Sequence, residues 1–226
     1  MKPKDLKPAF NWEDRRPLLI DRVFHVPQYY FLHHEFSFPK WEDSLVFGNQ
    51  NPVCIEYCAG NGAWIVQQAK KFPYFNWIAV EKRFDRVRQI WSKTKNENLS
   101  NVFIVHSEAL VFTRHHLPDD SSEEIFINFP DPWPKSKHAK NRLMTPLFLD
   151  ELARILKEGR KVTFVSDDFN YLTETINLFK THPSFKAAYP SPHFTTQEEN
   201  YGNSWFEELW RKKGRTIRDT QWTMMH

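Results

Sequence analysis

Residues 53–62 read V-C-I-E-Y-C-A-G-N-G, and this stretch decides the fold. Val53 through Tyr57 is a short run rich in β-prone side chains. Ala59-Gly60-Asn61-Gly62 is a tight turn, because glycine takes left-handed backbone without steric cost. From 63 to 72 the apolar positions recur at helical spacing, and Pro73 ends the run. Strand, glycine turn and amphipathic helix together open an α/β unit.

The same alternation continues downstream. Asn76-Trp77-Ile78-Ala79-Val80 predicts a second strand, closed at once by Glu81. Residues 83–95 predict a helix with Val87, Ile90 and Trp91 on one face. A third strand is expected at 102–105, with a short helix after Glu108. A fourth strand at 124–129, a helix at 146–157, a fifth strand at 161–166 and a helix at 171–181 follow. Near the end, 205–213 reads as a helix and 216–222 as a closing strand. The expected class is α/β: a Rossmann-like, mostly parallel central sheet with helices on both faces. Upstream, residues 1–50 lack clear periodicity and carry five prolines. They are expected to form a partly mobile N-terminal extension that packs on a main domain of 51–226. His33 and His34 read as a surface pair.

In open α/β sheets, ligands bind beyond the carboxyl ends of the strands. The first strand carries Glu56 and leads into Gly60 and Gly62, whose backbone can approach a ligand closely. The second ends in Glu81, about twenty residues on, where a carboxylate can accept from two ribose hydroxyls. The dinucleotide fingerprint G-x-G-x-x-G is not complete. Cys58 stands at its first glycine and, counted from Gly60, Ile65 at its third. Glu56 also suits a phosphate poorly. A carboxylate there fits a cationic ligand, a sulfonium with an α-amino group, which points to S-adenosylmethionine. Glu108, after the third strand, is placed to accept from an adenine amino group.

The second decisive stretch is 128–143, N-F-P-D-P-W-P-K-S-K-H-A-K-N-R-L. Three prolines (Pro130, Pro132, Pro134) end the strand before them, since proline lacks an N–H and fixes φ. The stiff loop holds Asp131, Trp133 and then a basic tongue. A carboxylate and a flat ring beside clustered cations suit a polyanion with planar bases, a nucleic acid. Asp131 can orient a guanine through N1–H and N2–H2, or help an exocyclic amine lose its proton. Spacing does not separate the two. Trp133 reads equally as loop anchor or stacking platform.

Composition sets outer bounds. The chain has 226 residues with 20 Phe and 9 Trp, enough aromatic mass for a large core. Its net charge is only +3, so local clusters matter more than the sum. No apolar run reaches the roughly 18 residues of a membrane span, and no signal peptide opens the chain. The two cysteines, Cys54 and Cys58, would lie about 13 Å apart along a strand at ~3.3 Å per residue, too far for a disulfide. A reducing cytoplasm follows as the expected compartment. No Cys/His spacing matches a zinc site, and no metal is expected.

F-P-D-P-W-P-K-S-K-H-A-K-N-R-L resembles the signature of the bacterial tRNA (guanine-N7)-methyltransferases. E-Y-C-A-G-N-G, F-N-W-I-A-V-E-K-R, V-S-D-D-F-N-Y and S-W-F-E-E-L-W-R-K-K-G-R-T-I support it, in the family's order from about 51 to 217. The resemblance implies S-adenosylmethionine-dependent methylation of guanine N7 in the tRNA variable loop. It implies Glu56, Glu81, Glu108 and Asp131 as cofactor-site carboxylates, with Asp131 nearest the chemistry. Lys135, Asp167, Ser204 and Glu207 are implied substrate contacts. Lys137, His138, Ala139, Lys140, Asn141 and Arg142 are the implied RNA-interacting tongue. Two departures stand out: Cys58 replaces a glycine, which bears on cofactor access, and Ser204 replaces a threonine.

Two other readings compete. One is an exocyclic-amine methyltransferase on RNA or DNA, because D-P-W also resembles the loop of those enzymes. The other is an RNA-binding module without catalysis, against which Glu56, Glu81 and Asp131 argue. No obligate protein partner is evident in the sequence.

Overall fold

The computed structural model describes residues 1–9, 16–196 and 205–225. These form two compact units, Met1–Leu117 and Pro118–His226.

The described residues of the first unit form five strands and three α-helices: β1 (Leu18–Ile20), β2 (Val23–His25), β3 (Val53–Tyr57), α1 (Ala63–Lys71), β4 (Asn76–Glu81), α2 (Phe84–Asn96), β5 (Val102–His106) and α3 (Ala109–His116). β3 pairs with β4 and β4 with β5, both parallel. Every residue of β3 and β4 is buried, as strands covered on both faces require. Two carboxylates, Glu56 and Glu81, lie within these buried strands. Val87, Ile90 and Trp91 form the buried stripe of α2, as their spacing predicts.

The N-terminal residues join this unit as regular structure. β1 and β2 make an antiparallel hairpin that turns through Asp21 and Arg22, with φ of 49° and 63°. Positive φ at both central residues matches the twist of the flanking strands. β2 then runs parallel to β5, pairing His25 with His106. The first residues lie along α2: Arg88 Nε donates to the Leu6 carbonyl (2.8 Å) and Ser92 Oγ to the Met1 carbonyl (2.7 Å). The surface position expected of His33 is not what forms. It is buried, stacked on His115 at 4.3 Å and hydrogen-bonded to His116 at 3.2 Å. Its ring covers α3, a contact that no local spacing reveals.

The second unit contains β6 (Ser122–Asn128), α4 (Pro146–Ile155), β7 (Leu156–Ser166), α5 (Phe169–Thr181), β8 (Phe185–Ala187), β9 (Thr195–Thr196), α6 (Trp205–Lys212) and β10 (Arg218–Met224). β6 and β7 are parallel, while β10 lies antiparallel on β7 and also pairs with β8 and β9. The expected helix over 146–157 stops at Ile155, and the chain passes directly into strand. Register jumps there, from Ser122↔Leu156 to Glu124↔Lys161. Residues 157–160 bulge out through Gly159, whose φ is 73°. Arg160 then reaches Glu123 at 2.8 Å, and Lys157 pairs with the same carboxylate. The fourth strand ends one residue early, because Phe129 takes φ of 48° and leaves the ladder.

No helix among the described residues is long and apolar enough to cross a membrane.

Candidate active site

In the first unit the expected cofactor residues converge at the carboxyl ends of β3, β4 and β5. Glu56 is 2% exposed within β3. The chain then passes through Cys58, Gly60 and Gly62, with φ of 62°, 56° and 75°. A glycine is required at 62 on two counts. Its backbone is left-handed, and a Cβ there would lie 2.9 Å from Ile90 Cγ1 on α2. Cys58 takes the same left-handed backbone with a side chain, which costs about 1–2 kcal/mol.

Glu81 is held rigidly. The Gly60 N–H donates to Oε2 at 3.0 Å, the Arg83 N–H to Oε1 at 2.9 Å, and Arg86 approaches Oε2 at 3.7 Å. Burial raises the Glu81 carboxyl above its ordinary pKa, while the Arg83 N–H and the Arg86 charge oppose the rise. A carboxylate offers about four lone-pair directions. Backbone N–H groups of Arg83, Gly60 and Lys82 favour its charged form, and a carboxylate held this way is suited to accept from ribose hydroxyls. Glu108 occupies the N-cap of α3, yet its side chain makes no cap hydrogen bond. It is half exposed, with Lys82 at 4.0 Å. The glycine turn, the fixed Glu81 and this outward carboxylate together fit an adenosine-bearing cation.

In the second unit the proline-bounded loop leaves β6 through Phe129. The Phe129 N–H donates to the Val165 carbonyl at 3.0 Å, and its ring packs with Val165 and Ile217. Phe206 of α6 stacks on it at 6.5 Å. Pro130 is buried and Asp131, next to it, is exposed. Trp133 is half buried, with φ of 43° and its ring edge-on to His138 at 5.8 Å. A 3-10 turn (Ser136–Asn141) forms the tongue. Lys135, Lys137, Lys140 and Asn141 are exposed there, while His138 and Ala139 are half buried.

Arg142, expected on the RNA, is engaged within the protein. Its Nε donates to the Pro132 carbonyl at 2.7 Å and Nη2 to the Trp133 carbonyl at 3.4 Å. Nη1 pairs with Glu174, and the guanidinium lies 5.2 Å above the Tyr171 ring. Only 13% of the side chain is exposed. A guanidinium so engaged braces the Asp131 loop against α5.

Two of the implied substrate residues, Asp167 and Glu207, also carry partners. Asp167 follows β7, at the carboxyl end of the strand beside β6, and pairs with Arg215. Arg215 in turn stacks on Trp210 at 4.1 Å. Glu207 is buried on α6 and takes Arg211 Nε at 2.9 Å. That pair is legible in sequence from its i, i+4 spacing; the Asp167–Arg215 pair, far apart in the chain, is not. Ser204 lies outside the described residues. Among those described, no cluster of three or more His, Cys, Asp or Glu could hold a metal ion.

Known proteins share this architecture. A solved S-adenosylmethionine-dependent methyltransferase from Aquifex aeolicus superposes with a TM-score of 0.53 at 15% identity, covering 80% of this chain and 86% of that one. The fold is that of the class I S-adenosylmethionine-dependent methyltransferases. The family described as "Putative methyltransferase" matches residues 50–220. A tRNA (guanine-N(7)-)-methyltransferase from Chlamydia muridarum is 48% identical over 96% of this chain and 95% of its own length. One from Streptococcus pyogenes is 30% identical over 87% of this chain and 92% of that protein. The chain belongs to the tRNA (guanine-N(7)-)-methyltransferase family.

Proposed function

We propose that this chain methylates N7 of a guanine in the variable loop of tRNA, with S-adenosylmethionine as methyl donor. The observation that carries the reading is Asp131, an exposed carboxylate between two prolines at the carboxyl end of β6, followed by exposed lysines. Prolines fix the loop, and a fixed carboxylate can hold a base by its N–H donors.

The donor supplies an electrophilic methyl on a positively charged sulfur. Glu81 accepts from the ribose hydroxyls, Glu108 from the adenine amino group, and Glu56 offsets the positive end of the donor. Asp131 accepts from guanine N1–H and N2–H2 and so orients N7. The N7 lone pair forms the new N–C bond as the S–C bond breaks, and the sulfur keeps that electron pair. The positive charge passes from sulfur to the purine. N7 carries no proton, so no base is needed for the attack. Lys135 and Asp167 contact the substrate, with Ser204 and Glu207 beside them in the implied set. Lys137 and Lys140 meet phosphates, and His138, Ala139 and Asn141 complete the RNA-facing tongue.

The reaction as written needs neither a metal nor a protein partner. We place it in the cytoplasm, where the thiols of Cys54 and Cys58 stay reduced. Incubation of the protein with tRNA and labelled S-adenosylmethionine, followed by nucleoside analysis, tests the reading. The expected product is 7-methylguanosine. An N2- or N6-methylated purine would instead assign the enzyme to the exocyclic amines, with Asp131 in amine deprotonation. Tight tRNA binding without any transfer would leave an RNA-binding module.

A further inference from the structure

A cleft of about 560 Å³ opens in the first unit beside Glu108. One side is built by Ser107, Glu108 and, from α3, Val111 and His115; the other comes from residues 26–33, upstream of the methyltransferase core. Three features of this segment stand together. Tyr29 and Phe31 are 78% and 80% exposed at the cleft, two large rings left uncovered. Tyr29 has φ of 61°, a conformation that side-chain-bearing residues seldom adopt and that tends to mark functional positions.

The segment is also anchored on both flanks. The Val26 N–H donates to the His106 carbonyl at 3.0 Å and extends the β2–β5 pairing. At the other end His33 bonds His116, stacks on His115, and takes the Tyr30 ring edge-on at 5.0 Å. The exposed rings are therefore carried on a fixed frame.

The cleft's chemistry selects its occupant. Aromatic walls ask for a flat apolar face, and Glu108 asks for a donor at its edge. A phosphate is disfavoured by the same carboxylate. Adenine has both features, a π-face and an exocyclic amine. The ribose position lies close by, since the Ser107 N–H donates to the Glu81 backbone carbonyl at 3.3 Å.

We propose that residues 26–33 form the adenine-side wall of the S-adenosylmethionine site, with Tyr29 and Phe31 covering the base while its amino group donates to Glu108. This rests on the cofactor reading above and gives the N-terminal segment a direct part in it. Bases stacked on aromatic side chains lose that contact when the ring is removed, and affinity falls roughly fivefold to a hundredfold.

The test is calorimetric titration of the full chain with S-adenosylmethionine and with tRNA. Tyr29→Ala/Phe31→Ala should bind the donor more weakly by that factor, and its tRNA affinity should hold. Tyr29→Phe/Phe31→Tyr, which keeps both rings, should bind the donor as the unmodified chain does. Because both rings are exposed, the thermal midpoint of the alanine variant should match that of the parent, which separates lost contact from lost fold. Unchanged donor affinity in the alanine variant overturns the proposal, as does a loss confined to tRNA, which would make the rings an RNA surface. Failure of the unmodified chain to bind the donor would instead sink the cofactor reading itself.

Discussion

Arg142 donates through Nε to the carbonyl of Pro132 at 2.7 Å, and so ties the basic tongue to the loop that carries Asp131. A residue counted by sequence among the RNA contacts thus also holds the loop within the protein. Phosphate contact and loop bracing predict different losses. Arg142→Met keeps the stem over Tyr171 but removes the charge and every donor. Turnover should fall on the order of a hundredfold, the cost of moving reacting atoms by about 1 Å. The slope of log affinity against log salt should stay as it is. A slope shallower by about one unit, with turnover intact at saturating tRNA, would return Arg142 to the phosphates.

Lys137→Ala/Lys140→Ala should show the reverse pattern. Both lysines are exposed on the tongue. Each phosphate contact contributes about 0.7–0.9 to the salt slope, so the double variant should lose somewhat under two units. Turnover at saturating tRNA should persist. An unaltered slope would make the tongue mere solvated surface.

Glu81 has a structural role beside the binding role proposed for it. Glu81→Ala removes the acceptor for the Gly60 and Arg83 N–H groups; the buried Gly60 donor is stranded at about 1–3 kcal/mol, while the Arg83 N–H, on an exposed residue, costs less. Denaturant unfolding should report that loss, and donor affinity should fall together with it. Burial already raises the Glu81 pKa. As pH drops through that raised value the carboxylate is neutralised, so donor affinity should fall in the acid range earlier than for an ordinary glutamate. Titration at several pH values checks this, and a pH-independent affinity would remove Glu81 from the ribose.

Cys58→Gly should stabilise the chain. The φ of 62° at Cys58 suits glycine. Relief of about 1–2 kcal/mol is partly offset by the freedom glycine gives the unfolded chain. A net gain of about 0.5–1 kcal/mol corresponds to a rise of roughly 1–4 °C in the melting temperature. A lower melting temperature would mean that the thiol's packing outweighs the strain.

Acid should loosen the N-terminal strands. His25 faces His106 at 3.2 Å, and His33 faces His116 at the same distance with His115 stacked alongside. Burial, then the neighbouring imidazole, pushes His25 down to about 4 and His116 to about 3. The unfolded chain takes up these protons near 6.5 while the folded chain refuses them. Stability from these groups is present above 6.5 and is lost as pH falls from there through the folded values. By pH 5 the two together should cost a few kcal/mol. Urea midpoints at pH 7.5 and pH 5 would show it, and His116→Phe should flatten the difference.

The sequence by itself determined the class of fold and the residues of chemical interest. Period-2 and helical patterns are local, so β3 through α3 could be read directly, with boundaries off by a residue or two. Glycines, prolines and carboxylates at strand ends are also local signals, which is why Glu56, Glu81, Glu108 and Asp131 stood out. Only the tertiary structure decided which of these groups are already paired within the protein. Arg142 with Pro132 and Glu174, Asp167 with Arg215, and His33 with His116 are contacts between positions distant in the chain, and no periodicity encodes them. The bulge at residues 157–160 was hidden for the same reason: register depends on the partner strand. The part of residues 26–33 emerged only once β2 had paired with β5, because that pairing sets the segment beside Glu108.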